Sequence, residues 1–329
     1  MKVFVTGGAG YVGSACLRQL LAQGHDAVAF DNLSEGHRLA VPAGRLIEGD
    51  IRDTAALTRA LKEHGSEAVM HFAAATYVGE SVTNPDHHYG NNIGGTLSLL
   101  RAMREVGVQR MLFSSTCATY GDNPAPPMNE EAAQIPCSPY ARTKLAVEWM
   151  IRDFAHAYGL GFTILRYFNA SGADRDGEFG ENHEPETHLI PLLLQVALGQ
   201  RDKLLMFGDD YPTPDGTCVR DYVHTGDLAS AHLLAIAATT PTTAEVFNIG
   251  TGNGQSVKQV HAACEAVTGR RIPMQTVARR PGDAPALVAD PRKLKRQLGW
   301  QPQWPEIRDV VASAWAWHQR YPKGYADKA

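Results

Sequence analysis

Three glycines, Gly7, Gly10 and Gly13, follow a short run of β-branched and aromatic residues that begins at residue 2. Apolar residues then recur every four positions, which predicts an amphipathic helix. In such a strand–turn–helix unit, glycines allow a tight turn and let backbone N–H groups approach a pyrophosphate at the positive end of the helix. We therefore predict a dinucleotide-binding fold, with Tyr11 and Val12 of the same turn also beside the cofactor.

Asp31 closes the second predicted strand, at residues 27–30. A carboxylate at this position binds the adenosine ribose hydroxyls and repels a 2′-phosphate, so Asp31, with Asn32 beside it, favours NAD over NADP. Asp50 and Ile51 follow the third predicted strand and are candidates to cover the adenine ring. The alternative for this pair is a helix-capping Asp and a core Ile.

Strands and helices alternate over the first half of the chain. The predicted strands lie at residues 2–6, 27–30, 45–48, 68–72, 110–113 and 162–166. After the helix that follows the glycine turn, further helices are predicted at residues 53–63, 85–106 and 139–158. This alternation predicts an α/β protein with a doubly wound, mainly parallel Rossmann-type sheet and helices on both faces.

The alternation ends near residue 170, where Gly, Pro, Asp and His become frequent. We predict an NAD-binding Rossmann domain at residues 1–170 and a smaller C-terminal α/β substrate domain at residues 171–329. A short strand-like run at residues 245–249 can return to the first sheet.

The composition is that of a globular protein, with 44% hydrophobic residues, 20% charged residues and a formal net charge of −4. This balance predicts no general attraction to nucleic acid or to an anionic membrane. The 5 cysteines form no CxxC pair, which argues against a disulfide framework. We expect a cytoplasmic protein without a signal peptide or membrane span.

Four histidines, His87, His88, His183 and His188, are candidate metal ligands. We expect no cysteine or glutamate to accompany them at ligand spacing, so we predict packed or solvated histidines and no metal. Cys117 has no nearby motif that activates its thiol, and we predict a packing role for it.

Tyr140 and Lys144 lie four positions apart at the start of a predicted helix, so they share one face. A free phenol has a pKa of about 10 and is a poor base near neutral pH. A nearby ammonium and an oxidised nicotinamide favour phenolate, which can accept a proton from a substrate hydroxyl while hydride leaves the same carbon. Thr116 ends the preceding strand at the edge where ligands bind in such folds. We predict these three residues as the catalytic group.

Motifs along the whole chain match a known family. Those typical of the superfamily are TGGAGYVG at residues 6–13, DN at 31–32, FAA at 72–74, SST at 114–116, YARTK at 140–144 and RYFN at 166–169. The more specific ones are THLIP at 187–191, FGDDY at 207–211, DGT at 215–217, VRDYVH at 219–224 and RPGD at 280–283. With them the chain resembles the bacterial UDP-glucose 4-epimerase family of the extended short-chain dehydrogenase/reductase superfamily.

The resemblance implies interconversion of UDP-galactose and UDP-glucose through a 4-keto sugar. Tyr140 would take the proton of the sugar 4′-hydroxyl while C4 gives hydride to NAD, and the keto sugar would turn over and recover the hydride on its other face. Lys144 would hold the nicotinamide ribose and lower the pKa of the tyrosine, and Thr116 would bond to the reacting oxygen. Because no net oxidation occurs, NAD should remain tightly bound.

The resemblance also assigns residues to the two ligands. The further cofactor residues are Phe72, Ala73, Ala74, Asn92, Ser114 and Tyr167. Those assigned to the UDP-sugar, besides Thr116 and Tyr140, are Asn169, His188, Leu189, Met206, Phe207, Arg220, Arg280, Asp283 and Leu287. The alternative for each is a surface ion pair or a core residue, and Asp221 beside Arg220 could form a purely structural pair with it.

Other functions fit the same fold. A nucleotide-sugar 4,6-dehydratase needs Asp-Glu directly after the catalytic hydroxyl, where this chain has Cys117 and Ala118, so the residues argue against dehydration. Epimerisation of UDP-pentoses or UDP-N-acetylhexosamines uses the same machinery. Leu287, where the related enzymes carry a Tyr, predicts room for a 2-acetamido group. A non-catalytic NAD-sensing protein is the alternative from another class.

We predict a homodimer, because the family pairs the helices at residues 85–106 and 139–158 across a two-fold axis. Ala146, Met150 and Phe154 give the second helix an apolar stripe. The alternative is that this stripe faces its own sheet.

Overall fold

The computed structural model describes residues 1–121, 126–280 and 283–326. The elements of the first half are β1 (Lys2–Thr6), α1 (Tyr11–Ala22), β2 (Asp26–Asp31), β3 (Leu46–Glu48), α2 (Thr54–His64), β4 (Ala68–His71), α3 (Val78–Thr83), α4 (Pro85–His88), α5 (Gly95–Val106), β5 (Arg110–Thr116), α6 (Pro139–Tyr158) and β6 (Gly161–Tyr167). Those of the second half are β7 (Asn169–Ser171), α7 (Leu189–Ala197), β8 (Leu204–Phe207), β9 (Val219–His224), α8 (Thr225–Ala238), β10 (Ala244–Ile249), β11 (Gly254–Ser256), α9 (Val257–Thr268), β12 (Met274–Val277), β13 (Ala286–Leu287), α10 (Arg292–Leu298) and α11 (Ile307–Arg320).

A seven-stranded sheet forms the centre of the molecule, in the order β10-β6-β5-β4-β1-β2-β3, and all its pairs are parallel. Helices α1 and α8 pack on one face, and α2, α5 and α6 pack on the other. Because both faces are covered, the strands are continuous apolar runs rather than alternating ones. The predicted doubly wound fold is confirmed. The strand order reverses between β1 and β4, which places a ligand crevice at the carboxyl ends of these strands.

The segment predicted as one helix at residues 85–106 is divided by a wider π-helical turn, Tyr89–Gly94, between α4 and α5. Inside this turn, the Asn92 side chain accepts a hydrogen bond from the Ala75 N–H (2.7 Å). It donates to the Ala75 carbonyl (3.0 Å) and to Thr143 Oγ1 (3.0 Å). The helical stretch predicted at residues 85–106 is therefore helical throughout, with a local widening that the sequence did not indicate and that these three bonds hold in place.

The second half builds two small sheets and also extends the first one. β7, β9, β11 and β13 form one small sheet, β8 and β12 form the other, and α7, α9 and α11 enclose a separate apolar core. β10 pairs with β6, and α8 packs against α1 in the first core. The division near residue 170 stays a prediction. Within the described ranges, no helix is long and apolar enough to cross a membrane.

Candidate active site

The glycine turn after β1 has no room for a side chain at Gly7, and the first turn of α1 has none at Gly13. Gly7 has a φ of +71°, and a Cβ atom there would overlap the backbone nitrogen of Ala73. A Cβ atom at Gly13 would overlap the carbonyl oxygen of Gly7. α1 follows directly after Gly10, and no side chain of the described residues caps its first N–H groups. These amides lie at the positive end of a helix, the arrangement that binds a pyrophosphate, so the turn fits the predicted cofactor.

Asp31 and Asn32 lie where β2 ends, next to the glycine turn. The buried Asp31 carboxylate accepts hydrogen bonds from the N–H groups of Ala9 (3.0 Å) and Leu33 (2.9 Å). Asn32 donates to the Asp50 carboxylate (3.2 Å). Asp31 is therefore fixed against the turn, at the position predicted to bind the adenosine ribose.

Asp50 and Ile51 differ from each other in environment. Hydrogen bonds from Arg52 lower the pKa of the Asp50 carboxyl to about 2, so this group is ionised at the rim of the crevice. Ile51 is buried, and a Cβ atom at Gly95 would lie 2.5 Å from its Cδ1. The Ile51 side chain thus lies in the core, as the alternative interpretation predicted.

Tyr140, in the first turn of α6, and Thr116, the last residue of β5, meet at the carboxyl edge of the sheet. Burial, together with the nearby Tyr167, raises the pKa of the Tyr140 phenol above its ordinary value, and a hydrogen bond with Thr116 lowers it in part. The structure therefore brings the two predicted hydroxyls together. The surrounding protein keeps the phenol protonated at neutral pH.

Lys144 lies one turn along α6 from Tyr140, with its ammonium group directed into the sheet. Its Nζ donates to the Ser114 carbonyl (2.9 Å) and lies 4.9 Å from the centroid of the Phe113 ring. Burial lowers the pKa of Lys144 to about 7, with Glu148 acting in the opposite sense. The expectation that Lys144 lowers the pKa of Tyr140 in the complex with NAD stays a prediction.

The remaining predicted cofactor residues line the same edge. Ser114 Oγ and the Tyr167 hydroxyl are hydrogen-bonded at 2.6 Å. The Tyr11 hydroxyl donates to the Gly172 carbonyl (2.6 Å), which joins the glycine turn to the second half of the chain. Other half-buried members of the set are Val12, Phe72, Ala73 and Ala74.

Arg220, on β9, extends from the second half toward the catalytic edge. It donates to the Ala284 carbonyl (2.8 Å), lies 3.6 Å from the Asp283 carboxylate, and contributes a positive charge that lowers the pKa of Cys117. Burial outweighs this effect and raises the pKa of that thiol to about 12, so Cys117 is an unreactive packing residue.

The structure does not support a structural pair between Arg220 and its neighbour Asp221. The Asp221 carboxylate accepts hydrogen bonds from Thr251 N–H (2.9 Å), Gly252 N–H (3.0 Å) and Ala289 N–H (3.2 Å). Asp221 thus anchors neighbouring loops, and Arg220 keeps a different set of partners.

The residues assigned to the UDP-sugar are only partly available to a ligand. The Arg280 guanidinium lies 3.9 Å from the centroid of the Phe207 ring, so it covers one face of that ring. Met206 is buried. The half-buried candidates are Asn169, Leu189, Asp283 and Leu287. Residues 281 and 282 of the predicted RPGD motif lie outside the described residues.

Two glutamates accompany the histidines at residues 183 and 188. His188 Nδ1 lies 2.9 Å from Glu181 Oε1 and 3.0 Å from Glu186 Oε1, and His183 Nδ1 lies 3.4 Å from Glu181 Oε1. Burial lowers the pKa of each imidazole, but the two carboxylates outweigh it and raise the pKa of His183 to about 9 and that of His188 to about 10. The expectation that no glutamate accompanies these histidines is therefore wrong.

Two neighbours of the catalytic residues were not predicted. His88 is fully buried, and its ring lies edge-on to Tyr140 with 6.4 Å between the centroids. Glu148 forms a buried ion pair with Arg166 (2.6 Å) and accepts a hydrogen bond from Ser115 (2.6 Å). The sequence pattern that could have indicated Glu148 is its spacing of four residues from Lys144 on the same helix. We find no such pattern for His88.

The family model for the NAD dependent epimerase/dehydratase family matches residues 3–250, and the chain belongs to that family. Within it, the chain is 50% identical to the UDP-glucose 4-epimerase of Corynebacterium glutamicum over 317 residues, which cover 96% of this chain and 95% of the relative. The predicted family resemblance and the NAD cofactor are thereby confirmed.

Two solved structures extend the comparison. The crystal structure of UDP-glucose 4-epimerase from Brucella ovis in complex with NAD is 48% identical, with a TM-score of 0.92, and the match covers 95% of this chain and 97% of that one. The UDP-Glc/GlcNAc 4-epimerase of Campylobacter jejuni is 38% identical, with a TM-score of 0.85, and the match covers 97% of this chain and 99% of that one.

Proposed function

We propose that this protein interconverts UDP-galactose and UDP-glucose by transient oxidation at C4 of the sugar. The observation that carries the proposal is the placement of Thr116, at the end of β5, and Tyr140, in the first turn of α6, beside each other at the sheet edge that also holds the glycine turn. The full-length similarity to enzymes that bear this name supports the same substrate pair.

The proposed reaction assigns one task to each catalytic side chain. When bound, NAD would accept the hydride from C4 and return it. Tyr140 removes the proton of the 4′-hydroxyl, and Thr116 holds the same oxygen by a hydrogen bond. The 4-keto sugar turns over in the site, and Tyr140 returns its proton when C4 is reduced from the other face. Because the protein alone raises the pKa of Tyr140, the phenol becomes a base only when positive charge is added beside it.

Arg220 and Arg280 are proposed to bind the diphosphate, since guanidinium groups match phosphate oxygens in a planar, bidentate manner. Arg220 is suited to this because its side chain is 15% exposed and its charge reaches Cys117, next to Thr116. Arg280 would leave the face of Phe207 that it covers, and the ring would then be open to the uracil base.

An assay without added cofactor tests the proposed function. Purified protein is incubated with UDP-galactose, and UDP-glucose is measured by chromatography, while NAD released on denaturation is quantified in parallel. We expect conversion at near-stoichiometric NAD content. A protein that carries NAD and does not convert UDP-galactose would contradict the proposal and favour the NAD-sensing alternative.

The proposed assembly is a cytoplasmic homodimer paired through α5 and α6. On α6, Trp149 is 59% exposed and Tyr158 is 48% exposed, which is unusual for side chains of this size on a free surface. Ala146, Met150 and Phe154 are half-buried along the same helix, at the edge of the core beneath α6.

A second proposed activity is the epimerisation of UDP-N-acetylglucosamine. Leu287 lies opposite Arg220 in the pairing of β13 with β9, and it packs on the apolar cluster that contains Cys117. A leucine beside the cluster that contains Cys117 leaves more room for a 2-acetamido group than a tyrosine would. The pocket assignment of Leu287 rests on the family resemblance.

A further inference from the structure

Two histidines and two glutamates converge in the segment between β7 and α7. The cluster consists of Glu181, His183, Glu186 and His188, and one ligand atom from each lies within 4.8 Å of the others. Both histidines present Nδ1 to the carboxylates. Glu181 and Glu186 are 5% and 4% exposed, so both carboxylates are largely withdrawn from water.

The nitrogen–oxygen distances in the cluster are close to those between two ligands of one metal ion. Four ligands at about 2.0–2.1 Å from a zinc ion are separated from one another by about 3.3 Å. Glu181 Oε1 lies 2.9 Å from His188 Nδ1 and 3.4 Å from His183 Nδ1. Glu186 lies 3.0 Å from His188 Nδ1 through Oε1 and 3.7 Å from His183 Nδ1 through Oε2. A small ion at the centre would therefore need only short side-chain adjustments to reach all four groups.

The backbone around the cluster is held from several sides. Glu186 Oε1 accepts hydrogen bonds from the N–H groups of Thr187 (2.7 Å) and His188 (2.8 Å). Asn182, between two of the ligands, receives bonds from His37 at its carbonyl (3.2 Å) and from the Tyr325 N–H at its side chain (2.9 Å). Such supporting hydrogen bonds orient metal ligands in known sites.

We propose that Glu181, His183, Glu186 and His188 bind one divalent transition-metal ion, for which zinc has the matching geometry. Two imidazole nitrogens and two carboxylate oxygens are ligands that zinc accepts, and four protein ligands leave no open position for a substrate. The site is therefore structural. It holds residues 181–188 together directly before α7, and the His183 ring lies edge-on to the Tyr11 ring with 6.3 Å between the centroids.

Metal content distinguishes a metal site from histidine–glutamate ion pairs that hold no metal. The full-length protein is loaded with zinc chloride at micromolar concentration, passed through metal-free buffer and measured by inductively coupled plasma mass spectrometry. We expect about one zinc per chain in the wild type, and a loss of that zinc in His183→Gln and Glu181→Gln. The matched controls are His87→Gln and Glu184→Gln, which change exposed residues of the same types and should retain the metal.

A wild type that retains no zinc overturns the proposal, and so does zinc that survives both ligand substitutions. Cobalt(II) titration of the wild type gives a second readout that does not depend on the folding of any variant. Four-coordinate cobalt absorbs visible light much more strongly than six-coordinate cobalt. We expect an intense band that saturates at one equivalent and is displaced by zinc, whereas a weak spectrum would contradict a tetrahedral site.

Discussion

At the scale of single residues, the chemistry depends on how the protein tunes one phenol. Burial and Tyr167 raise the pKa of Tyr140, and Thr116 is the group of the described chain that lowers it by a hydrogen bond. Lys144 instead bonds to the Ser114 carbonyl. The phenol is thus held inactive by its surroundings, and the proposed base forms only in the assembled complex.

Replacement of Tyr140 by Phe removes one hydroxyl while the ring still packs. We expect retained NAD and a loss of turnover of about 10²–10⁴-fold, the usual contribution of a positioned base. The measurement is kcat for UDP-galactose, with NAD content as the control for folding. Turnover close to that of the wild type would refute the role of Tyr140.

Replacement of Thr116 by Ala should shift the pH dependence of kcat. The Thr116 hydroxyl stabilises the phenolate, so its loss raises the pKa of Tyr140, and the acidic limb of the profile moves to higher pH. Thr116→Ser keeps the hydroxyl and serves as the control, with a limb near that of the wild type. A profile that only scales down in Thr116→Ala, with the limb unmoved, would contradict this prediction.

Replacement of Leu287 by Tyr should change substrate selectivity. The larger ring, placed beside Arg220 and the Cys117 cluster, would fill the space proposed for the 2-acetamido group. We expect kcat/KM for UDP-N-acetylglucosamine to fall much more than kcat/KM for UDP-glucose. An unchanged ratio of the two values would show that this side chain does not limit the pocket.

At the scale of elements, α6 is joined to the sheet by charged groups as well as by apolar packing. Glu148 accepts bonds from Arg166 Nε (2.9 Å) on β6 and from Ser115 Oγ (2.6 Å) on β5. Arg166 also donates to the Tyr120 hydroxyl (3.0 Å). The helix that carries Tyr140 is therefore positioned by a buried network directly beneath the catalytic residues.

Substitution of Glu148 by Leu leaves the buried Arg166 guanidinium without its carboxylate. We expect a loss of about 3–5 kcal/mol in the free energy of unfolding, measured by urea denaturation, and a partial recovery in the double variant Glu148→Leu/Arg166→Leu. The control is Arg45→Gln, which breaks the exposed pair with Asp26 and should cost less than about 1 kcal/mol. Equal effects of Glu148→Leu and Arg45→Gln would contradict this account.

The sequence predicted those features that depend on local pattern. The glycine turn, the end of β2 at Asp31 and the bounds of α6 follow from periodicity and turn chemistry, which neighbouring residues determine. The π-helical turn follows instead from bonds between Asn92 and a residue of another helix, Thr143. Likewise, Glu148 meets Arg166 only after the sheet has formed. Such contacts between distant segments leave no periodic trace in the chain.

At the scale of the whole molecule, α5 and α6 leave a surface suited to a second copy of the chain. A groove between α2, α5 and α6 is lined by the apolar or aromatic residues Leu97, Phe154 and Tyr158 and by the polar residues Thr54, Arg101, Arg104 and Glu105. The Arg104 guanidinium lies 4.7 Å from the centroid of the Tyr158 ring. A two-fold pairing of this face would cover aromatic side chains that the single chain leaves in water.

Light scattering at micromolar concentration tests the assembly. We expect a particle of twice the chain mass of 35.7 kDa, and a shift toward the single-chain mass in Phe154→Glu, because the charge would enter the apolar contact. Leu234→Glu, on α8 at the opposite face of the sheet, is the matched control and should keep the larger mass. A measured particle mass of 35.7 kDa for the wild type would contradict the proposed dimer.

The pairing of the late strand β10 with β6 has a consequence for the protein during its synthesis on the ribosome. β6 is complete at Tyr167, but the strand that covers its open side ends at Ile249, and α8, which shields α1, is also made late. At a synthesis rate of about 5–20 residues per second, the nascent sheet exposes an apolar edge for several seconds. During that interval the chain is a substrate for chaperones. We expect a chain truncated before β10 to be prone to aggregation, because one side of β6 stays unpaired.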